Sequence, residues 1–276
     1  MRVNQRWCSD NAVAGIITAI LLVGLIVIVI SLIQTTYVPK WMRQIEAEHM
    51  NEVADQFSQL KSSIDIQAAT GQKTPMSTSI TLGNKEIPFF SASRAFGSLL
   101  ILSNNCTVTI NRSSSFSYSL GIIKYSSRNV YFLDQSYIYE AGSVILNQSE
   151  GNVMSIKPFS ALKNGNIVNI TFDIVNITGV GGGTSAGGYG TYPIRTEFVS
   201  SHTVVMNGVK NITIATHYQN AWHVAFNSTL IKSGGLIYSR NFSVTDTAGE
   251  VTIKFLGTTK VNLALNVIEI NAWITP

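Results

Sequence analysis

The chain is short of the features that announce an enzyme or a nucleic-acid binder. It has two cysteines, Cys8 and Cys106, far apart in sequence and on opposite sides of the apolar run described below. That excludes a disulfide framework within one chain, so the fold has to rely on its core or on assembly. Charged residues make up only 12% of the chain, and the net charge of +4 is spread thinly, without a Lys/Arg block after the apolar run. This excludes the electropositive stripe that nucleic acids require. No internal period is convincing, which argues against solenoids and propellers. The four histidines, His49, His202, His217 and His223, have neither an HExxH motif nor four-residue helical spacing, so no zinc site is indicated.

The one glycine-rich patch, GVGGGTSAGGYG (179–190), lacks the Lys-Ser/Thr of a phosphate loop and has strand-like flanks, so it reads as a flexible exterior loop. It contains a formal Gly-x-Ser-x-Gly match around Ser185, with Glu197, His202, His217 and His223 downstream. A nucleophile elbow needs a helix after the serine, and GYGTYPIRTEF offers none. The carboxylates of the later chain are dispersed. No catalytic residue, metal or cofactor is expected.

What the chain does have is a long apolar run. From Ala12 to Tyr37 there is no charge, and Ala12 to Ile33 is long enough at ~1.5 Å per residue to cross a hydrocarbon core of about 30 Å. The run exceeds the apolar stretch of an ordinary secretory signal and is apolar on every face, unlike a soluble amphipathic helix. Arg2 and Arg6 in the short leading segment favour a cytoplasmic N-terminus. Tyr37 and Trp41 then sit at the outer interface, and everything after Gln34 lies outside.

Val38-Pro39 predicts a kink or break. Beyond it Trp41, Ile45, Met50, Val53, Phe57, Leu60 and Ile64 form an apolar stripe to about Ala69, facing either the later domain or neighbouring copies. After Thr74-Pro75 the pattern changes to period two. Strand candidates are STSITLG (77–83), SLLILS (98–103), CTVTI (106–110), SFSYSLGIIKY (115–125), VYFL (130–133) and SYIYE (136–140). They continue with VILNQ, VMSIK, IVNITFDIVNI, TEFVS, TVVM, NITIATHY, GLIYS, EVTIKFL and KVNLALNVIEINAWI. The expected organisation is a leader (1–11), a transmembrane helix (12–37), an amphipathic helical stalk (38–70) and a mainly-β, antiparallel sandwich-like exterior domain (71–276). One helix is expected within the domain, at 218–235, capped by Asn220 and ending at Gly234-Gly235.

Asn105, Asn111, Asn147, Asn169, Asn176, Asn211, Asn227 and Asn241 each head an Asn-x-Ser/Thr triplet. All lie in the expected exterior region, as N-glycan acceptors would, although a chain rich in Asn, Ser and Thr also makes such triplets by composition. Ala14, Gly15, Ala19 and Gly24 are small residues that permit close helix packing, and equally are common in any membrane helix.

The segment DNAVAGIITAILLVGLIVIVISLIQTTYVP resembles the start of archaeal type IV pilin-like proteins, with Ala12-Val13-Ala14-Gly15-Ile16-Ile17 standing where that family has its conserved-type entry to the hydrophobic helix. The resemblance covers about the first third of the chain. It implies a leader peptidase cut within Asp10, Asn11, Ala12 and Val13, and a surviving helix that serves as anchor and assembly surface. It also implies partners among membrane lipid, copies of the chain or other pilin-like subunits. The expectation is a cell-surface structural or adhesion protein, a glycoprotein and not an enzyme. The alternative is a single-pass anchored module that captures a ligand or sugar without forming filaments.

Overall fold

The structure, a computed structural model, describes residues 9–84, 95–165, 167–257 and 259–275, with side chains from Val13 onward. Helix α1 (Ser9–Leu32) passes through a π-helical segment (Ile33–Tyr37) directly into α2 (Val38–Thr70). The expected break at Val38-Pro39 is absent. The π turn shifts the hydrogen-bond pattern by one residue, with Val38 N–H donating to Ile33 O, and it directly precedes Pro39, which has no N–H to give the ladder; the irregular turn lets the helix take up the proline without ending. The continuous helix Val13–Thr70 has 58 residues, about 87 Å of rod. Gly71, at φ 64°, closes it with its N–H on Gln67 O.

Fourteen strands follow among the described residues: β1 (Met76–Thr81), β2 (Phe96–Asn111), β3 (Ser115–Arg128), β4 (Gln135–Glu140), β5 (Ser143–Gln148), β6 (Gly151–Ile156), β7 (Phe159–Asn164), β8 (Ile167–Gly179), β9 (Ser185–Gly188), β10 (Thr191–Asn207), β11 (Asn211–Ala215), β12 (Phe242–Thr247), β13 (Glu250–Phe255) and β14 (Lys260–Ile274). Helix α3 (Gln219–Lys232) lies between β11 and β12. One sheet has the order β1-β10-β14-β8-β7, antiparallel except for the parallel β14–β8 pair. The other has the order β12-β13-β11-β2-β3-β4-β5-β6, with β9 also pairing with β2. This is the expected mainly-β sandwich with one later helix.

The candidates 98–103 and 106–110 are one strand bent at a bulge between Leu102 and Cys106, where Asn104 takes φ 54°. TEFVS and TVVM likewise merge into β10. VYFL is not a strand but a bend, and GLIYS holds only an isolated bridge at Tyr238. Strands β7 (FSALKN) and β12 (FSVTDT) alternate only over their first few residues and β9 (SAGG) carries no large apolar residue, so no strand candidate falls on them. The cap expected of Asn220 is also not made: its amide donates to Asn152 O, while Tyr218 N–H, at the helix entry, donates to Thr216 Oγ1.

The long strands exchange their buried face midway. Ile122, Ile174 and Val267 point into a core built around α3, whereas their immediate neighbours Ile123, Val175 and Ile268 point into a second core built around α2. Period-two geometry then places the rest of each strand in the matching lobe. The sheets meet at this switch. A Cβ on Gly121 would lie 1.9 Å from Ile177 O, and Gly121 N–H donates to Asn176 Oδ1.

Candidate functional site: the apolar helix and its seat in the β domain

Every residue from Val13 to Leu32 is exposed, and this one helix is long and apolar enough to cross a membrane. Leu, Ile and Val at about half exposure all round it would be costly in water and stable in hydrocarbon. Asp10, Asn11 and Ala12 are in the first turn of α1. Residues 1–8 of the leader, including Cys8, lie outside the described residues. Ala14, Gly15, Ala19 and Gly24 sit on open faces, and nothing lies within 4 Å of a Cβ built on either glycine.

Above the run the helix changes character. Met50, Val53, Phe57, Leu60 and Ile64 are buried against β1 and β10 of one sheet and β4 and β5 of the other. At ~1.5–3 kcal/mol of transfer free energy per large side chain, this stripe holds α2 as a core element and not as a free stalk. The lower end of the stripe is rephased from the sequence expectation. Trp41 is exposed and Ile45 only half-buried, while Met42, Glu46 and His49 face the domain.

Those polar members of the stripe are each satisfied. Glu46 is fully buried, and its carboxylate accepts the backbone N–H groups of Val130 (3.0 Å), Tyr131 (2.7 Å) and Phe132 (2.6 Å). Three charge-assisted donors compensate the burial of the charge and turn the VYFL segment into a bend. His49 Nε2 lies 3.1 Å from the Tyr125 hydroxyl, which donates to Leu82 O at 2.9 Å; burial pushes the imidazole below its ordinary 6.5. Gln56 spans to Thr81, accepting its N–H, and Gln67 donates from Nε2 to Thr196 O, its Oε1 being buried without a partner. A ladder of side chains thus locks α2 to the sheets along its length.

The chemistry of the rest is spare. Ser185 lies in β9 with no helix after it, and among the described residues no hydrogen bond joins it to a histidine. His223 pairs with Asp246 at 2.8 Å, His202 and His217 are exposed, and no three metal-ligating side chains gather among the described residues. Cys106 is buried in β2, where desolvation pushes its thiol well above the ordinary range. One group is unusual: Glu140, fully buried, accepts from Thr216 Oγ1 and Trp222 Nε1 at 2.7 Å, while Oε2 lacks a partner, and burial raises it to about 7.

The glycine patch is not a flexible loop. Gly183 O accepts from Ile274 N–H, Thr184 O accepts from Ile101 N–H, and β9 pairs with β2. Of the sequon asparagines, Asn169 is exposed, and Asn105, Asn111, Asn147 and Asn211 are half-buried. Asn176 Nδ2 donates to Glu269 and Asn241 Nδ2 to Thr259 Oγ1, so both amides are engaged. Asn227 has its Oδ1 buried on α3.

A protein-family profile described as "Family of unknown function (DUF7289)" matches residues 11–271. The chain belongs to this family. No curated protein and no solved structure is significantly similar to it. The profile begins inside α1 and ends inside β14, so the apolar helix and the β sandwich are parts of one family unit.

Proposed function

We propose that this chain is a membrane-anchored, pilin-like structural or adhesion protein of the cell surface, with its N-terminus in the cytoplasm and its β domain outside. The observation that carries this reading is the single rod Val13–Thr70, lipid-type at one end and built into the domain core at the other. Such a continuous helix joins the anchor to the domain with no loop between them. The basic leader residues Arg2 and Arg6 support the orientation. The pilin-type segment around Ala12-Val13-Ala14-Gly15 supports processing by a leader peptidase. The small residues Ala14, Gly15, Ala19 and Gly24, with their faces open, support packing against copies of the same helix. Among the sequons, Asn169 is the best-placed glycan acceptor, since its side chain is exposed; Asn176 is the poorest.

N-terminal sequencing of the chain isolated from its membrane tests the reading. A mature chain that begins between Asn11 and Val13, recovered also in sheared surface filaments, is the expected result. A retained Met1 with no chain in the sheared fraction would leave a plain anchor and overturn the pilin-like assignment.

A further inference from the structure

The β domain has a defined end on the side from which the apolar helix leaves it. β1 runs antiparallel beside α2, with Thr81 held by Gln56, Thr78 beside Ser63, and Leu82 O within reach of His49. The foot of the domain is therefore the end holding Leu82. The register places Thr191 there too, and Tyr125 OH on Leu82 O adds the Phe96–Arg128 end of the β2–β3 pair. α3 and Leu162 belong to the opposite lobe.

Exposed apolar side chains collect at this foot. Val130 is 55% exposed, Leu133 48% and Phe96 46%, and Phe96 meets Tyr189 edge to face at 5.7 Å. The foot also reaches down to the interfacial level of the helix. Val38 and Met42 are 4% and 0% exposed, flanking Trp41, which is itself exposed at 44%. Helical side chains lean toward the N-terminus, so Glu46 reaches down toward this level to hold Val130, Tyr131 and Phe132. Lys40, Arg43 and Arg128 are exposed around it and complementary to anionic headgroups, against the exposed acids Glu48 and Asp134, the latter accepting Asn129 N–H within the bend.

We propose that the 129–134 bend, pinned by Glu46, is a second membrane contact that sets Val130 and Leu133 in the headgroup layer from which α2 emerges. This rests on the reading that α1 spans a membrane. The occupant is the bilayer surface itself, because the patch is continuous with the interfacial end of that helix. Two anchoring points fix the tilt of the domain. Its opposite end, carrying α3 and the β12–β13 hairpin, is thereby presented away from the cell.

The test uses the full chain with Cys8→Ser, the buried Cys106 left in place, in vesicles of mixed zwitterionic and anionic phospholipid at high lipid-to-protein ratio. An environment-sensitive fluorophore is placed at Val130→Cys, Leu133→Cys, Leu162→Cys or Leu25→Cys, and quenched by lipids carrying a nitroxide near the headgroup or along the acyl chain. Headgroup nitroxide is expected to cut the emission at 130 and 133 about twofold and to leave 162 unchanged, while acyl nitroxide quenches 25. Probes at 130 and 133 that behave like 162, with 25 still quenched, would overturn the second contact and leave the anchor intact. Probes shielded only as protein density rises, without lipid quenching, would identify another copy as the occupant and overturn it equally. Loss of quenching at 25 would refute the membrane span itself.

Discussion

Glu46 shows how much one side chain decides in this fold. A buried carboxylate with three backbone donors is stable only while all of them point at it, and removing it strands three N–H groups at the helix–bend contact. Glu46→Ala is expected to lower the unfolding free energy of the detergent-solubilised protein by about 3 kcal/mol; a change within error would mean water satisfies the bend instead. Its position was readable in part. Met42, Glu46, Met50, Val53, Phe57, Leu60, Ile64 and Gln67 keep steps of three and four without a gap, with His49 three residues after Glu46 on the same face, so polar residues at stripe positions marked buried hydrogen bonds. Following apolar residues alone leads to Trp41 and Ile45. Glu140 had no such signal, since its partners Thr216 and Trp222 come from a distant segment. Its folded value, about 7, is raised above the ordinary 4.5 by burial. The unfolded chain therefore releases this proton first, and stability falls as pH rises from about 4.5 to about 7, then levels. Of order 3 kcal/mol is at stake for a shift of this size. Denaturation of the wild type and Glu140→Gln across that window should show the slope in the first and a flatter profile in the second; equal slopes would assign the dependence elsewhere.

Among the elements, α2, α3 and most strands were legible because burial on one face leaves a period in the sequence, whereas α1 was legible as an uncharged apolar run long enough to span a bilayer. The exchange of faces was also written there, as the adjacent β-branched pairs Ile122-Ile123, Ile174-Val175 and Val267-Ile268, which period-two reasoning passes over as noise. The glycine patch misled for a physical reason. Its composition is that of a flexible linker, yet at Gly183 the absence of a side chain serves close approach, since a Cβ there would sit 1.9 Å from Ile274 O. Gly183→Ala should therefore destabilise by about 2 kcal/mol or more, while Gly182→Ala, whose added methyl meets nothing within 4 Å, should be close to neutral. Melting curves of the two variants settle it, and equal, small effects would restore the picture of a loose loop.

At the scale of the whole molecule, one rod joins two environments. Its lower part is apolar all round, its upper part is the core helix of the α2 lobe, and the π turn carries the helix past Pro39 without interrupting it. The expected stalk is therefore inside the domain and not beneath it, because the stripe that had two candidate partners is covered by the chain's own sheets. A sequence shows that such a stripe needs a cover; only the fold shows which surface supplies it. The proposed orientation is tested most directly by placing a cysteine at Ala248, in the exposed turn between β12 and β13, in the Cys8→Ser background and treating intact cells with a membrane-impermeant maleimide. Labelling of intact cells, with the chain released from the membrane fraction only by detergent, is the predicted result. Labelling only after lysis, or a chain that washes free in buffer, would contradict a membrane-anchored protein facing outward.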